Sequence, residues 1–406
     1  MRRGIIAVTG LLAGLAAAAA SDANAPAPQG PHVADSINQF AIHFYTQVRG
    51  QEGNLFFSPA SISTALAMVY SGAGGQTAQQ IAQVLHFDGP PPKVNAEFAA
   101  LLARWNSAAG AHHYQLSVAN ALWGRQGYPF AAPFQQSLQA NYGAAMHVVD
   151  FRQSEAARQT INRWVESQTQ DKIKDLLPAG SVGPATRLVL ANAIYFKAPW
   201  DLQFSPSATR LQPFHLADSK SESVPMMHQV ASFPYLKATG FSALQMTYAD
   251  ASFSMIVLLP DRADGLAALE ESLTSEKLDQ WTQELAKSRR MVRVSFPKFT
   301  VTQAIDLTSD LKVMGMPLAF SRSADFSPMN DGKEPLWIDR AIHKAFVDVN
   351  EQGTEAAAAT AITMRAAAAL PQNVAEFTAD HPFLFVIRDS QSGSILFMGR
   401  VVNPSA

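Results

Sequence analysis

The stretch that decides the reading is VDVNEQGTEAAAATAITMRAAAAL, Val347 to Leu370. By propensity alone its alanines favour an exposed helix, since alanine loses the least entropy on becoming helical. Counted by twos, the segment reads differently. Thr354, Ala356, Ala358, Thr360, Ile362 and Met364 are small or apolar and uncharged, whereas Glu355, Ala357, Ala359, Ala361, Thr363 and Arg365 carry both charges. A strand sends alternate side chains to opposite faces, so the segment also fits a sheet with one face buried. Alanine is too bland for the alternation to choose, and the surroundings have to decide.

Outward from this stretch the second half of the chain is rich in strand-like runs. TRLVLANAIYF, FSMIVLLP, VRVSFPKF, AFVDV, FLFVI and ILFMGRVV are β-rich and separated by turn residues. The first half reads as helical. Ile37, Phe40, Ala41, Phe44, Tyr45 and Val48 fall at helical spacing, with Gly50 as a stop. Pro59 stands at a helix start, and Gly72 to Gly75 end that helix. The stretch from Gln153 to Leu177 predicts one further helix, carrying Ile161, Trp164, Val165, Ile173, Leu176 and Leu177. There is no internal repeat and no linker beyond a Pro-rich tether from Ala25 to Pro31. One α+β domain over residues 26–406 fits best, helices dominating early and strands late.

Composition narrows the function. The 406 residues are 48% hydrophobic and 16% charged, with a net charge of −2. That favours a large buried core over disorder and argues against a general nucleic-acid binder, which needs a basic face. There are no cysteines, so disulfides, zinc–thiolate sites and thiol nucleophiles are excluded. At the N-terminus Arg2 and Arg3 precede an apolar stretch from Ile5 to Ala20, followed by small residues. This predicts a secretory signal peptide within residues 1–25, cleaved after Ala20 or Ala25, and a soluble protein that is secreted or periplasmic. No HExxH, G-x-S-x-G or P-loop pattern occurs, and no local arrangement suggests a catalytic triad; an enzyme is not expected.

Taken in series, several segments resemble the serpin family. VDVNEQGTEAAAATA is similar to the hinge of its inhibitory members, and NLFFSPASISTALAMVYSGAGGQT (Asn54 to Thr77) to its early signature. LSVANALW, INRWVESQTQDKIKDLL, TRLVLANAIYFKAPWDLQF, VPMMHQ, ADFSPM and the closing FTADHPFLFVIRD…GSILFMGRVVNP follow in the family's order, covering almost the whole chain after the tether. The resemblance implies three β-sheets with eight or nine helices and a reactive-centre loop, about residues 351–376, held outside a five-stranded central sheet. It also implies suicide inhibition of a serine protease: the loop is cut, the protease is acylated, and the freed segment enters the sheet as a new strand. An exported, bacterial-like member acting as a monomer is expected, with the target protease as covalent partner and no cofactor or metal. A binding or chaperone serpin, or an inhibitor of papain-like cysteine proteases, are the alternatives.

Site residues follow from the same resemblance. The hinge comprises Glu351, Gly353, Thr354, Glu355, Ala356, Ala357, Ala358, Ala359 and Thr360, with neither proline nor charge on its uncharged face to stop a ladder. Ser58, Asn192 and His343 match the cluster beneath the central sheet where strands part, and Trp200 the top of that sheet. Such polar residues can exchange buried hydrogen bonds between two arrangements. The reactive bond lies fourteen residues beyond the hinge glycine in the family, which lands on Ala367–Ala368, with Ala366 one residue away. Alanine suits a small primary pocket, hence elastase-like or subtilisin-like proteases. Arg365 and Met364 are the alternatives, implying trypsin-like or chymotrypsin-like targets.

Overall fold

Ser58 caps the helix that Pro59 begins. Its hydroxyl accepts from the Ser61 amide at 3.1 Å, and proline takes a first-turn position where its missing N–H costs nothing. The protein, seen here as a computed structural model, is described over residues 32–109, 114–217, 220–354 and 373–406, within one compact unit, Pro31–Ala406. Ten α-helices occur among the described residues: α1 (His32–Val48), α2 (Pro59–Tyr70), α3 (Gly75–Leu85), α4 (Pro91–Ala109), α5 (Ala132–Tyr142), α6 (Ser154–Gln168), α7 (Leu266–Ser272), α8 (Ser275–Lys287), α9 (Leu307–Met314) and the single turn α10 (Ser327–Asn330). None is long and apolar enough to cross a membrane.

The strands form three sheets. The central one comprises β2 (Gln115–Arg125), β3 (Met146–Val149), β4 (Leu188–Pro199), β10 (Phe299–Asp306), β11 (Arg340–Asn350) and the two-residue β12 (Gly353–Thr354), in the order β10-β11-β12-β4-β2-β3. A second sheet runs β1 (Leu55–Phe57), β15 (Ile395–Val401), β14 (Phe383–Asp389), β8 (Phe253–Pro260), β7 (Phe241–Thr247) and β6 (Ser221–Lys237). The long β6 passes into the third, where it pairs β5 (Arg210–His215) and β9 (Arg289–Pro297), with β13 (Ala375–Thr378) beyond β9.

The main core lies between the sheets and α1–α4, and is rich in phenylalanine; Phe56 stacks on Phe397 at 5.2 Å between centroids. A second, smaller core lies on the other face of the central sheet. There Ala119 and Ala121 of β2 and Ala191 and Ala193 of β4 pack with Ile161 and Val165 of α6. Four alanines on that face leave room for the helix to lie close against the sheet.

Two expectations change. The helix predicted from Gln153 to Leu177 ends at Gln168, because Gln170, Asp171 and Asp175 take left-handed backbone angles. Ile173, Leu176 and Leu177 are still buried, as an irregular segment. Asn162 pins it: its Oδ1 accepts from the Leu177 amide at 2.8 Å and its Nδ2 donates to the Leu177 carbonyl at 3.0 Å. A helix-period pattern and a buried irregular strap use the same apolar residues, so periodicity overran the boundary. Nor do helices and strands separate along the chain, since β2–β4 fall among the early helices and α7–α10 among the late strands.

Candidate functional site

The structure draws attention to the seam between β4 and β11. Over most of their length these strands pair directly and in parallel, from Arg340 opposite Val189 to Phe346 opposite Tyr195. Above that point they part, and β12 stands between them, antiparallel to both: Thr354 lies opposite Ala198 on one side and Val349 on the other. The foot of the segment expected to stand outside the sheet is therefore already inside it. Gly353 makes this approach possible. Its φ is +153°, and a Cβ there would sit 2.1 Å from the Ala198 carbonyl oxygen, which no side chain tolerates.

The hinge residues are held by a cluster at this end of the sheet. Thr354 is fully buried, and its hydroxyl shares a 2.7 Å hydrogen bond with the buried Tyr248 hydroxyl. Tyr248 stacks on Trp200 with centroids 4.4 Å apart. The Trp200 indole N–H donates to the Asn350 carbonyl at 3.0 Å, and its backbone N–H to the Gln352 carbonyl at 2.8 Å. Glu351 is buried; it pairs with Lys298 at 2.9 Å and accepts from the Thr209 hydroxyl at 2.8 Å. Burial works to raise the Glu351 carboxyl, but the Lys298 and Thr209 hydrogen bonds outweigh it and hold its pKa below the usual value.

Lower on the seam, Asn192 of β4 faces His343 of β11, and on its other side faces Asn120 of β2. The three make a polar rank across the sheet beneath α2. The Ser58 amide donates to His343 Nε2 at 3.0 Å. An amide can only donate, so Nε2 accepts, and the ring's proton sits on Nδ1, facing Asn192 Oδ1. The imidazole is fully buried, and desolvation lowers its pKa to about 3, keeping it neutral. The Ser58 hydroxyl donates to the Leu396 carbonyl at 2.5 Å. Asn192 Nδ2 faces the Ser61 carbonyl at 2.9 Å, the Ser61 hydroxyl and Asn120 Oδ1.

Ser58, Asn192 and His343 are thus in one hydrogen-bonded cluster, while Trp200, Glu351, Gly353 and Thr354 gather at the sheet's upper end. Glu355 to Thr360, the expected bond at Ala367–Ala368, and Ala366 and Arg365 lie outside the described residues. So do residues 1–25. Sequence reading missed Asn120, Ser61, Tyr248, Thr209 and Lys298. One signal was available: Ala-Asn-Ala occurs at 119–121 and again at 191–193, and these are the residues that β2 and β4 set opposite each other.

At this end of the central sheet β4 and β11 are separated by the two-residue β12, which pairs with both. The chain belongs to the serpin family, described as serine protease inhibitors, whose profile matches residues 35–404. It is 44% identical over 375 residues to the leukocyte elastase inhibitor of Bos taurus, covering 90% of this chain and 98% of that protein. Among solved structures it superposes on Serpin48 of the insect Tenebrio molitor, a highly specific serpin, with a TM-score of 0.81 and 31% identity over 93% of this chain and all of that one. It also superposes on human thyroxine-binding globulin in complex with thyroxine, with a TM-score of 0.83 and 31% identity over 92% of this chain and 99% of that one. Membership places the chain among inhibitors, not enzymes.

The expected origin and location are corrected by these comparisons. The relatives named above are eukaryotic, and one of them is named for the leukocyte. An exported, bacterial-like protein that is secreted or periplasmic does not stand. The physical reason is that two arginines before an alanine-rich apolar stretch are a compositional pattern alone, with no packing partner to discriminate one use from another.

Proposed function

We propose that this protein inhibits an elastase-like or subtilisin-like serine protease by offering the 351–376 loop as a substrate and then inserting it between β4 and β11. One observation carries the reading: Gly353 and Thr354 already pair with both strands, so the first step of a new central strand is in place. Both registers extrapolate consistently. Six residues beyond Thr354, each brings Thr360 between Asn192 and His343. Its hydroxyl suits a gap where those two now meet each other. The residues between, Ala356 and Ala358 on the inward parity, are small enough to enter without displacing the core.

In the reaction the protease serine attacks the Ala367 carbonyl carbon. The Ala367–Ala368 peptide bond breaks, the Ala368 amine leaves with a proton, and Ala367 remains as an ester on the protease. Insertion of Gly353 to Ala367 then carries the protease, still attached through the ester, to the far end of the molecule and deforms it, so that the ester is not hydrolysed. The protein acts as a monomer, with no nucleic-acid or membrane partner. The test is incubation of the intact chain with pancreatic elastase, subtilisin, chymotrypsin, trypsin and papain, followed by denaturing electrophoresis. An SDS-resistant adduct is expected with elastase or subtilisin, with a released fragment starting within one residue of Ala368. A start at Ala366 moves the bait to Arg365, and the absence of any stable adduct with all five refutes the reading.

A further inference from the structure

Two histidines that play no part in the seam meet where α1 passes the end of α3. His43 stands two turns along α1 from Ser36, on the same helix face, and the Ser36 hydroxyl donates to the His86 carbonyl at 2.7 Å. His86 closes α3 in a left-handed conformation, φ +55°, with its own amide turned back towards the Gln83 carbonyl. A side chain other than glycine is strained there. Ser36 and Gln83 thus fix the backbone that carries the His86 ring. The His43 and His86 ring centroids lie 5.6 Å apart, with the planes at 63°. His43 is exposed and His86 half-buried.

His86 Nε2 is buried and has no hydrogen-bond partner among the described residues. A neutral imidazole carries one N–H and one lone pair, and a buried ring nitrogen with no match needs a reason. The ring contact with His43 supplies none, because it satisfies neither donor nor lone pair. An ion held by both rings does. Zn–N bonds of about 2.0–2.1 Å put two imidazole centroids roughly 5–5.5 Å apart across a tetrahedral ion, close to the observed spacing. Burial lowers the pKa of both rings, and at His86 the neighbouring His43 lowers it further. Both are therefore neutral at pH 7, the form that binds metal. We propose that His43 and His86 together form a binding site for a divalent transition ion of the zinc and copper type, clipping α1 to the end of α3. No set of three His, Cys, Asp or Glu is placed to hold a metal among the described residues, so water completes the coordination from the exposed His43 side. Imidazole nitrogen suits Zn²⁺, Cu²⁺ and Ni²⁺, whereas Mg²⁺ and Ca²⁺ take oxygen donors.

The experiment titrates Zn²⁺ into the intact chain at neutral pH and follows the ring nitrogen resonances of its ten histidines. Saturable shifts at His43 and His86, moving together, are expected, and Mg²⁺ should give none. Cu²⁺ should bind more tightly and displace Zn²⁺, and the affinity should fall on acidification as protons compete for the same nitrogens. His43→Gln and His86→Asn each remove one ligand. Glutamine keeps the helix, and asparagine tolerates the left-handed cap. Each variant should lose more than the about tenfold that removal of a supporting group costs a metal site. Saturating Zn²⁺ should raise the melting midpoint of the unaltered chain and leave that of either variant unmoved. Shifts confined to other histidines overturn the site. So do shifts at His43 that survive His86→Asn, which mark a single exposed imidazole, and affinity that both variants retain. None of these outcomes depends on whether the chain traps a protease.

Discussion

Thr354→Arg places a guanidinium in the position where the structure is least able to accept one. Thr354 is fully buried between β4 and β11, and its hydroxyl is paired with that of Tyr248, itself fully buried. Burying an unpaired charge costs several kcal/mol after relaxation. Leaving the Tyr248 hydroxyl without a partner adds about 1–3 kcal/mol. What holds β12 in place is a two-residue ladder on each side and one side-chain hydrogen bond, each bond worth about 0.5–1.5 kcal/mol. The two penalties together exceed that sum when several of those bonds are at the weak end. The hinge should therefore leave the sheet, and the rest of the fold should stay intact. Amide exchange in the intact variant should show lost protection at Gly353 and Thr354, with a melting midpoint lowered by only a few degrees, since each 1 kcal/mol moves it by about 2–4 °C. Insertion would then have to begin by burying the arginine, so the ester has time to hydrolyse and the variant is cut without being trapped. Thr354→Val keeps the shape, loses only the hydrogen bond, and should still form the adduct. If Thr354→Arg traps protease at the unaltered stoichiometry, the inward face has been assigned wrongly.

Cleavage of the loop between Met364 and Leu370, confirmed by mass, should raise the melting midpoint at a fixed scan rate. A net gain of about 5 kcal/mol corresponds to roughly 10–20 °C, and an unchanged midpoint would favour a serpin that binds without inserting. Gly353→Ala should also expel the hinge, because the added Cβ meets backbone on β4 at 2.1 Å; retained exchange protection at Thr354 would refute that. His343 has a folded pKa of about 3 against an unfolded 6.5, so below pH 6.5 the unfolded chain binds a proton that the folded chain refuses. Stability from this group is present above pH 6.5 and is lost as pH falls towards 3, by up to about 1.4 kcal/mol per pH unit. His343→Gln should flatten that slope in urea titrations between pH 6.5 and 4. Glu351 is depressed in the folded state, so its contribution is present above the unfolded carboxyl range and lost on acidification through the lower folded pKa. Glu351→Gln should remove that acid-side loss, read as a smaller drop in melting midpoint on going to low pH.

Local chemistry was enough for some elements. Pro59 announces the start of α2, and FSMIVLLP reads as a strand that the fold keeps as β8. In both cases the information lies within one turn or one alternation of the backbone. The uncharged parity of the 354–364 stretch was equally legible, because side-chain alternation is a property of the segment itself. Only the tertiary structure decided that Gly353 and Thr354 stand inside the central sheet, and that Asn120, Asn192 and His343 form one rank. Those facts depend on the register of β2, β4, β11 and β12, strands drawn from three distant parts of the chain. The same holds for the strap after α6, where apolar residues at helical spacing are buried by Asn162 and the alanine face instead of by a helix. Register is settled by the sum of packing across the whole sheet, so no single stretch of sequence carries it.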